Sequence, residues 1–303
     1  MTYKLATRSS DLALAQARFV ANQLRQSGIG IELLQVVTKG DQSTEALHEI
    51  GGSGVFVSDV RAAILDGSAD LAVHSLKDLP TAPAAGLDLA AVPARADARD
   101  AVCTRGGVPL AELPAGATIA TGSPRRAAAI RTLRPDLRTV PVRGNVGTRL
   151  AKLDSGEFDA VVLAAAGLHR LGLSERIAEI LEPDMMLPAP AQGALAVEVR
   201  ARADAGLALA VAQLDHAPTH AEVDAERAVL VALRVGCAAP VGALGRALGN
   251  ELNLTAAVLD PEGADPVRVS AAGPVSEAVS LGHRVAGELL AVGAGRYLGE
   301  SVR

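Results

Sequence analysis

Aromatic side chains are scarce: 303 residues include no Trp, three Phe and two Tyr. Single-stranded nucleic-acid binding relies on aromatic platforms beside a basic groove. A formal net charge of −5 also disfavours a phosphate-backbone binder, so nucleic acid is not an expected partner. No run approaches the roughly 20 apolar residues that span a bilayer, and MTYKLATRSS lacks the apolar core of a signal peptide. A cytoplasmic protein without membrane contact is expected. The two cysteines, Cys103 and Cys237, lie far apart with no CxxC spacing, which argues against a disulfide framework or a zinc ribbon. His216 and His220 have i,i+4 spacing, but Pro218 and a capping Thr219 between them argue against a helix presenting both to a metal. No metal site is expected.

Nearly half of the chain is apolar, supplied by Ala, Val, Leu and Ile, and its length suits two or three domains. Apolar strand-like runs alternate with helix-period segments: KLAT, DLALAQARFVANQLRQ, IELLQVVT, VSDVRAAILDG, DLAVHSL. This is the rhythm of a parallel sheet covered by helices. It restarts after the stretch around Pro93 to Asp100 with AVCT, TIAT, RRAAAIRTL, RTVPVR and DAVVLAAAG. The Pro- and Gly-rich LPAPAQGALAVEVR suits a hinge that returns the chain to the first domain. From Thr219, a capping box with Glu222 opens a helix, followed by the loop RVGCAAPVG. LNLTAAVLD and PVRVSAAG then read as a hairpin, and a final helix is capped by Ser276. The expectation is α/β: domain 1 over 1–95 and 193–214, domain 2 over 98–190, and a small α+β domain 3 over 217–303.

Three strand-to-helix junctions carry arginine beside Ser, Thr or Gly: ATRSSDLALAQ with Arg8 and Ser10, ATGSPRRAAAI with Ser123, Arg125 and Arg126, and VPVRGNVGTRL with Arg143 and Arg149. Helix N-termini present unpaired N–H groups, and guanidinium forks bind carboxylates in bidentate fashion. A cation in a first helical turn opposes the helix dipole, so an anion should compensate. No GxxxxGK[ST] motif or strand-anchored GxGxxG occurs; small carboxylates are better candidates than nucleotides. In DLAVHSLKDLP, Lys77 and Asp78 follow an apolar strand, where Asp78 is placed to act as an acid, a base or a cation stabiliser. Cys237, beside Gly236 and before Pro240, reads as a loop thiol, although from local sequence alone, with no neighbouring His, an inert buried thiol is the more frequent case. Cys103, inside AVCT, reads as a core thiol.

The ordered strings ATRSSDLALAQA, VHSLKDLP, TGSPRRAAAI, VRGNVGTRLAKL, AGLHRLGL, PAPAQGALAVE and ERAVLVALRVGCAAPVG resemble the porphobilinogen deaminase family over almost the whole chain. The resemblance implies two periplasmic-binding-protein-like α/β domains around a cleft and a third domain carrying a cofactor loop. It implies head-to-tail condensation of four porphobilinogen with release of ammonia to give hydroxymethylbilane, in tetrapyrrole and haem biosynthesis. A dipyrromethane cofactor would be held through a thioether to Cys237. By position in the matching motifs, Lys77, Asp78, Thr121, Ser123, Arg125, Arg126, Gly144 and Arg149 would bind the cofactor. Arg8, Ser10, Arg143, Arg149, Arg170 and Gln192 would bind substrate, and Asp78 would be the catalytic carboxylate. Glu49 and Ser53 stand where relatives often place lysines, Val235 where a glycine is common and Asp11 where a proline is frequent. A monomer is expected. The rival reading is a non-catalytic, two-lobed protein that binds small carboxylates.

Overall fold

The computed structural model describes residues 2–38, 57–236 and 238–298, which fall into two compact units: Met1–Ala96 with Ala194–His220, and Asp97–Gly193 with Ala221–Arg303. Glu49, Ser53 and Cys237 lie outside the described residues.

In the first unit, β1 (Thr2–Arg8) leads through Ser10 into α1 (Asp11–Gln26). The helix buries Gln16, Ala17, Val20, Ala21 and Leu24, a single stripe at helical spacing. Then come β2 (Gly30–Val36), α2 (Ser58–Leu65), β3 (Leu71–Ser75), a 3₁₀ turn over Leu76–Asp78, and β4 (Leu87–Ala91). In the second unit, β5 (Asp100–Thr104), β6 (Thr118–Ala120), α3 (Pro124–Leu133), β7 (Arg138–Val140), α4 (Val146–Ser155), β8 (Ala160–Ala164), α5 (Ala165–Arg170) and β9 (Glu179–Leu181) follow in order. The chain re-enters the first sheet as β10 (Leu195–Arg200), followed by α6 (Ala205–Ala212) and α7 (Ala217–Ala232). The second unit closes with β11 (Val241–Leu248), β12 (Glu251–Val258), β13 (Val267–Pro274) and α8 (Ala278–Ala291).

The described strands form sheets ordered β2-β1-β3-β10-β4, β7-β6-β8-β5-β9 and β11-β12-β13. The architecture is α/β with a small C-terminal α+β segment, as the element pattern indicated. The two larger sheets are mixed, however, where the run pattern suggested parallel ones. β10 is antiparallel to β3 and β4, and β5 is antiparallel to β8 and β9. Both β5 and β10 are buried along nearly their whole length. A strand covered on both faces reads as a continuous apolar run whichever way it points, so the pattern carried no direction.

Two expected caps are corrected. α7 begins at Ala217, so Thr219 sits inside its first turn, and its N–H donates instead to His216 Nδ1 at 3.3 Å. Glu222 accepts from the Ala247 N–H rather than closing a capping box. Ser276 belongs to a 3₁₀ turn that precedes α8 and makes no capping bond.

With few aromatics, the cores pack small and branched aliphatic side chains. Leu5, Val20, Leu24, Leu71 and Val197 bury one face of the first sheet, and Ile119, Ile130, Val162 and Leu181 one face of the second. In the C-terminal segment α8 crosses α7 at Gly282, where a Cβ would lie 2.3 Å from the Ala225 carbonyl oxygen. Only glycine permits that approach.

Candidate functional site

The charged candidates lie at the carboxyl ends of the parallel strands, where open α/β sheets gather their ligand loops. In the first unit, a pocket is lined by Arg8, Ser10, Gln16, His74, Ser75 and Asp78. Ser10 caps α1, its hydroxyl accepting from the Ala13 N–H at 3.4 Å, and Gln16 Nε2 donates to Ser75 Oγ at 2.8 Å. Asp78 is exposed on the 3₁₀ turn, which the buried Leu76 and Leu79 hold from either side. The Leu76 N–H adds a bond to the Ala194 carbonyl at 3.1 Å. Lys77 is half-buried beside Asp78.

Sequence reasoning missed the cluster beside this pocket. Arg61 grips Glu198 with Nε at 2.9 Å and a terminal nitrogen at 2.6 Å. His74 Nε2 lies 3.2 Å from the same carboxylate, although not aligned as a hydrogen bond. Burial pushes the Glu198 carboxyl up, but the close approach of His74 and the hydrogen bonds from Arg61 outweigh this and bring it down to about 2. A Glu inside the apolar strand LAVEVR was the available signal.

In the second unit, Thr121 directly follows β6, its hydroxyl accepting from the Ser123 N–H at 3.1 Å. Ser123 caps α3, accepting from the Arg126 N–H at 3.5 Å, with Pro124 at the first helical position. Arg125 and Arg126 then turn inward and are buried. One nitrogen of Arg125 reaches Asp100 Oδ2 at 2.7 Å and another the Leu187 carbonyl at 2.7 Å. Arg126 places Nε at 3.0 Å and a terminal nitrogen at 2.7 Å from Asp100 Oδ1. Gln192 closes the group, donating to Asp100 Oδ1 at 2.9 Å and to the Ala98 carbonyl at 2.7 Å, while its oxygen accepts from Arg126 at 3.4 Å. Asp100 is fully buried; desolvation raises its carboxyl, but Arg125, Arg126 and Gln192 overcome this and hold it well below the usual carboxylate range.

Part of the anion that the first-turn arginines call for is therefore supplied by the protein itself, through Asp100. Its sequence signal was an acid opening the otherwise apolar strand DAVCT. Two guanidinium groups against one carboxylate leave an excess of one positive charge, and Arg125 Nε is buried with no partner among the described residues.

The third junction is built differently. Asn145 caps α4, accepting from the N–H and the hydroxyl of Thr148 at 2.8 and 2.9 Å. Arg149 Nε donates to the Gly144 carbonyl at 2.8 Å. Gly144 has φ +108°, and a Cβ there would lie 2.7 Å from Thr148 Cγ2, so the turn demands glycine. Arg143 is exposed and Arg149 half-buried. Arg170, at the last turn of α5, donates to the Gly193 carbonyl at 2.7 Å and makes no ion pair among the described residues. Burial lowers its pKa to about 10, so it remains cationic at neutral pH.

The net positive group around Asp100, the half-buried Arg170 and the orphaned Arg125 Nε are what a ligand bearing several carboxylates would require, and a dipyrromethane substituted with acetates and propionates fits that description. Cys103 is buried in β5, and desolvation pushes its thiol up to about 11, which makes it inert at neutral pH. Among the described residues there is no cluster arranged to hold a metal ion, and no helix long and apolar enough to cross a membrane.

Two family models match the chain: porphobilinogen deaminase, dipyromethane cofactor binding domain, over residues 3–208, and porphobilinogen deaminase, C-terminal domain, over residues 220–291. The chain belongs to the porphobilinogen deaminase family. Among its relatives, the porphobilinogen deaminase of Acidothermus cellulolyticus is 51% identical over 299 residues, covering 97% of this chain and 90% of that one. That of Thermobifida fusca is 47% identical, covering 98% and 96%. A solved structure of the methionine binding protein MetQ is similar over 70% of this chain and 89% of its own, at a TM-score of 0.46 and 12% identity. The first family model supports dipyrromethane as the cofactor, and Asp78, Arg126 and Arg149 all fall within its span.

Proposed function

We propose that this chain is a porphobilinogen deaminase, joining four porphobilinogen head to tail with loss of ammonia to yield hydroxymethylbilane. Family membership supports the reaction, and the buried excess of positive charge around Asp100 is the structural observation that carries it. Each added pyrrole brings an acetate and a propionate. A protein of net charge −5 repels such a product unless it concentrates cations locally.

When bound through Cys237, dipyrromethane supplies the primer to which the pyrroles are added. Arg125, Arg126 and Arg149, with the N–H groups behind Thr121, Ser123 and Gly144, hold carboxylates and fix orientation, and Lys77 adds a cation. Arg8, Ser10, Arg143, Arg170 and Gln192 take the substrate's carboxylates. Asp78, exposed on its turn at the first unit's pocket, binds pyrrole N–H groups and opposes the positive charge left on the substrate as ammonia departs with the C–N electron pair. At about 4 Å and an effective dielectric near 20, that attraction is about 4 kcal/mol, worth roughly a thousandfold in rate if realised only in the transition state.

The working division is 1–95 with 193–214, 98–190 and 217–303, in a cytoplasmic monomer. Light scattering should give the monomer mass at every dilution; a persistent dimer contradicts that part. Incubation of the purified protein with porphobilinogen tests the function: four ammonia per hydroxymethylbilane is the expected stoichiometry, and release of unchanged porphobilinogen would identify a binding protein instead.

A further inference from the structure

Glu226 is a fully buried acid on α7, outside the carboxylate-binding set assigned above. Its two oxygens accept from two backbone N–H groups, Ala191 at 2.6 Å and Gly245 at 2.7 Å. Ala191 has φ +62°, left-handed backbone that a residue with a Cβ rarely adopts. It is the third residue of a tight turn closed by the Gln192 N–H to the Ala189 carbonyl at 2.9 Å, a position where glycine is the usual choice. The residue after Ala191 is Gln192, whose side chain bonds both Asp100 and Arg126.

We infer that Glu226 is a positioning residue: by holding the Ala191 N–H it keeps the strained turn in the one conformation that delivers Gln192 to the Asp100–Arg126 pair. The inference rests on the porphobilinogen deaminase reading for its kinetic consequence and on geometry alone for its structural one. The strand β11 side of the same segment is tied separately, by the Ala243 N–H to the Pro188 carbonyl at 2.9 Å. Among the described residues, Glu226 is thus the side chain that bonds the left-handed residue directly.

The test uses the intact holoprotein with Glu226→Gln, Ala191→Gly and the double variant. A glutamine retains one acceptor oxygen and turns an N–H₂ toward the other donor, so only one of the two N–H groups stays bonded. Amide hydrogen exchange of peptides covering 189–193 should accelerate by at least about tenfold in Glu226→Gln. KM for porphobilinogen should rise by about five- to tenfold while kcat stays within about twofold, the signature of lost carboxylate binding. Ala191→Gly in the same background should recover at least half of both effects, because glycine holds φ +62° without strain. If Glu226→Gln does not fold, Glu226→Asp replaces it: the charge is kept, but the shorter side chain cannot span both donors.

Wild-type exchange and wild-type KM in the folded variant, whatever its melting temperature, overturn the inference. So does a raised KM without faster exchange, or effects that the glycine leaves untouched. A wild-type protein that does not turn over porphobilinogen sinks the functional reading instead, and the exchange comparison still decides the link from Glu226 to Ala191.

Discussion

Replacing Asp100 by Asn removes one charge and almost no volume from a site that is fully buried. Four hydrogen bonds from Arg125, Arg126 and Gln192 converge on its carboxylate. The amide can accept at one oxygen only and turns donors toward donors at the other, leaving two buried guanidinium groups without their counter-charge. Breaking a buried ion pair by removing one partner costs about 3–5 kcal/mol. At roughly 2–4 °C per kcal/mol for a domain of this size, calorimetry at pH 7 should show a melting temperature lower by roughly 6–20 °C.

The gap should also depend on pH in one direction. The folded carboxyl lies below its unfolded value of about 3.9, so Asp100 stabilises fully above about pH 5, and the benefit fades as pH falls through the unfolded pKa toward the folded one. The difference between wild type and Asp100→Asn should therefore narrow in acid. It should survive 0.5 M salt, because buried charges are poorly screened. A shift under about 2 °C at pH 7, or a gap abolished by salt, would refute this reasoning.

Asp78→Asn should lower kcat by about a hundred- to a thousandfold while shifting the melting temperature by less than about 2 °C, since the side chain is exposed; steady-state rates beside calorimetry separate the two. Glu198→Gln should destabilise by about 3 kcal/mol, through the loss of the charge that Arg61 and His74 share. Because the folded Glu198 carboxyl sits at about 2, that loss should appear at neutral pH and shrink below about pH 4, as melting curves across pH would show. Gly144→Ala should destabilise by about 1–3 kcal/mol and raise KM, since its Cβ would strike Thr148. Native alkylation at pH 8 should leave Cys103 unlabelled until the protein unfolds, given a buried thiol at about 11; peptide mass mapping reads this directly.

Local signals in the sequence were reliable where the physics is local. Ser123 caps its helix and Pro124 takes the first helical position, because those contacts lie within a turn of each residue. The hairpin of β12 and β13 was likewise legible from alternation and the turn PEG. Direction in the larger sheets was not, since β5 and β10 are covered on both faces. The caps expected at Thr219 and Ser276 failed because the chain turns helical earlier than the capping pattern marked: His216, three residues back, takes the Thr219 N–H, and a 3₁₀ turn over Val275–Glu277 leads into α8. Arginine-bearing junctions marked the candidate site, but Asp100 is 25 residues from Arg125 along the chain. No window pattern reports such a pairing.

The most direct measurement is the intact mass of the purified protein, wild type beside Cys237→Ser, with proteolysis to locate any adduct. The expected result is a dipyrromethane on the Cys237 peptide of the wild type, absent from the variant, with porphobilinogen turnover in the wild type alone. An unmodified wild type that stays unmodified after incubation with porphobilinogen or preformed hydroxymethylbilane would contradict the primer mechanism and leave a carboxylate-binding protein in its place.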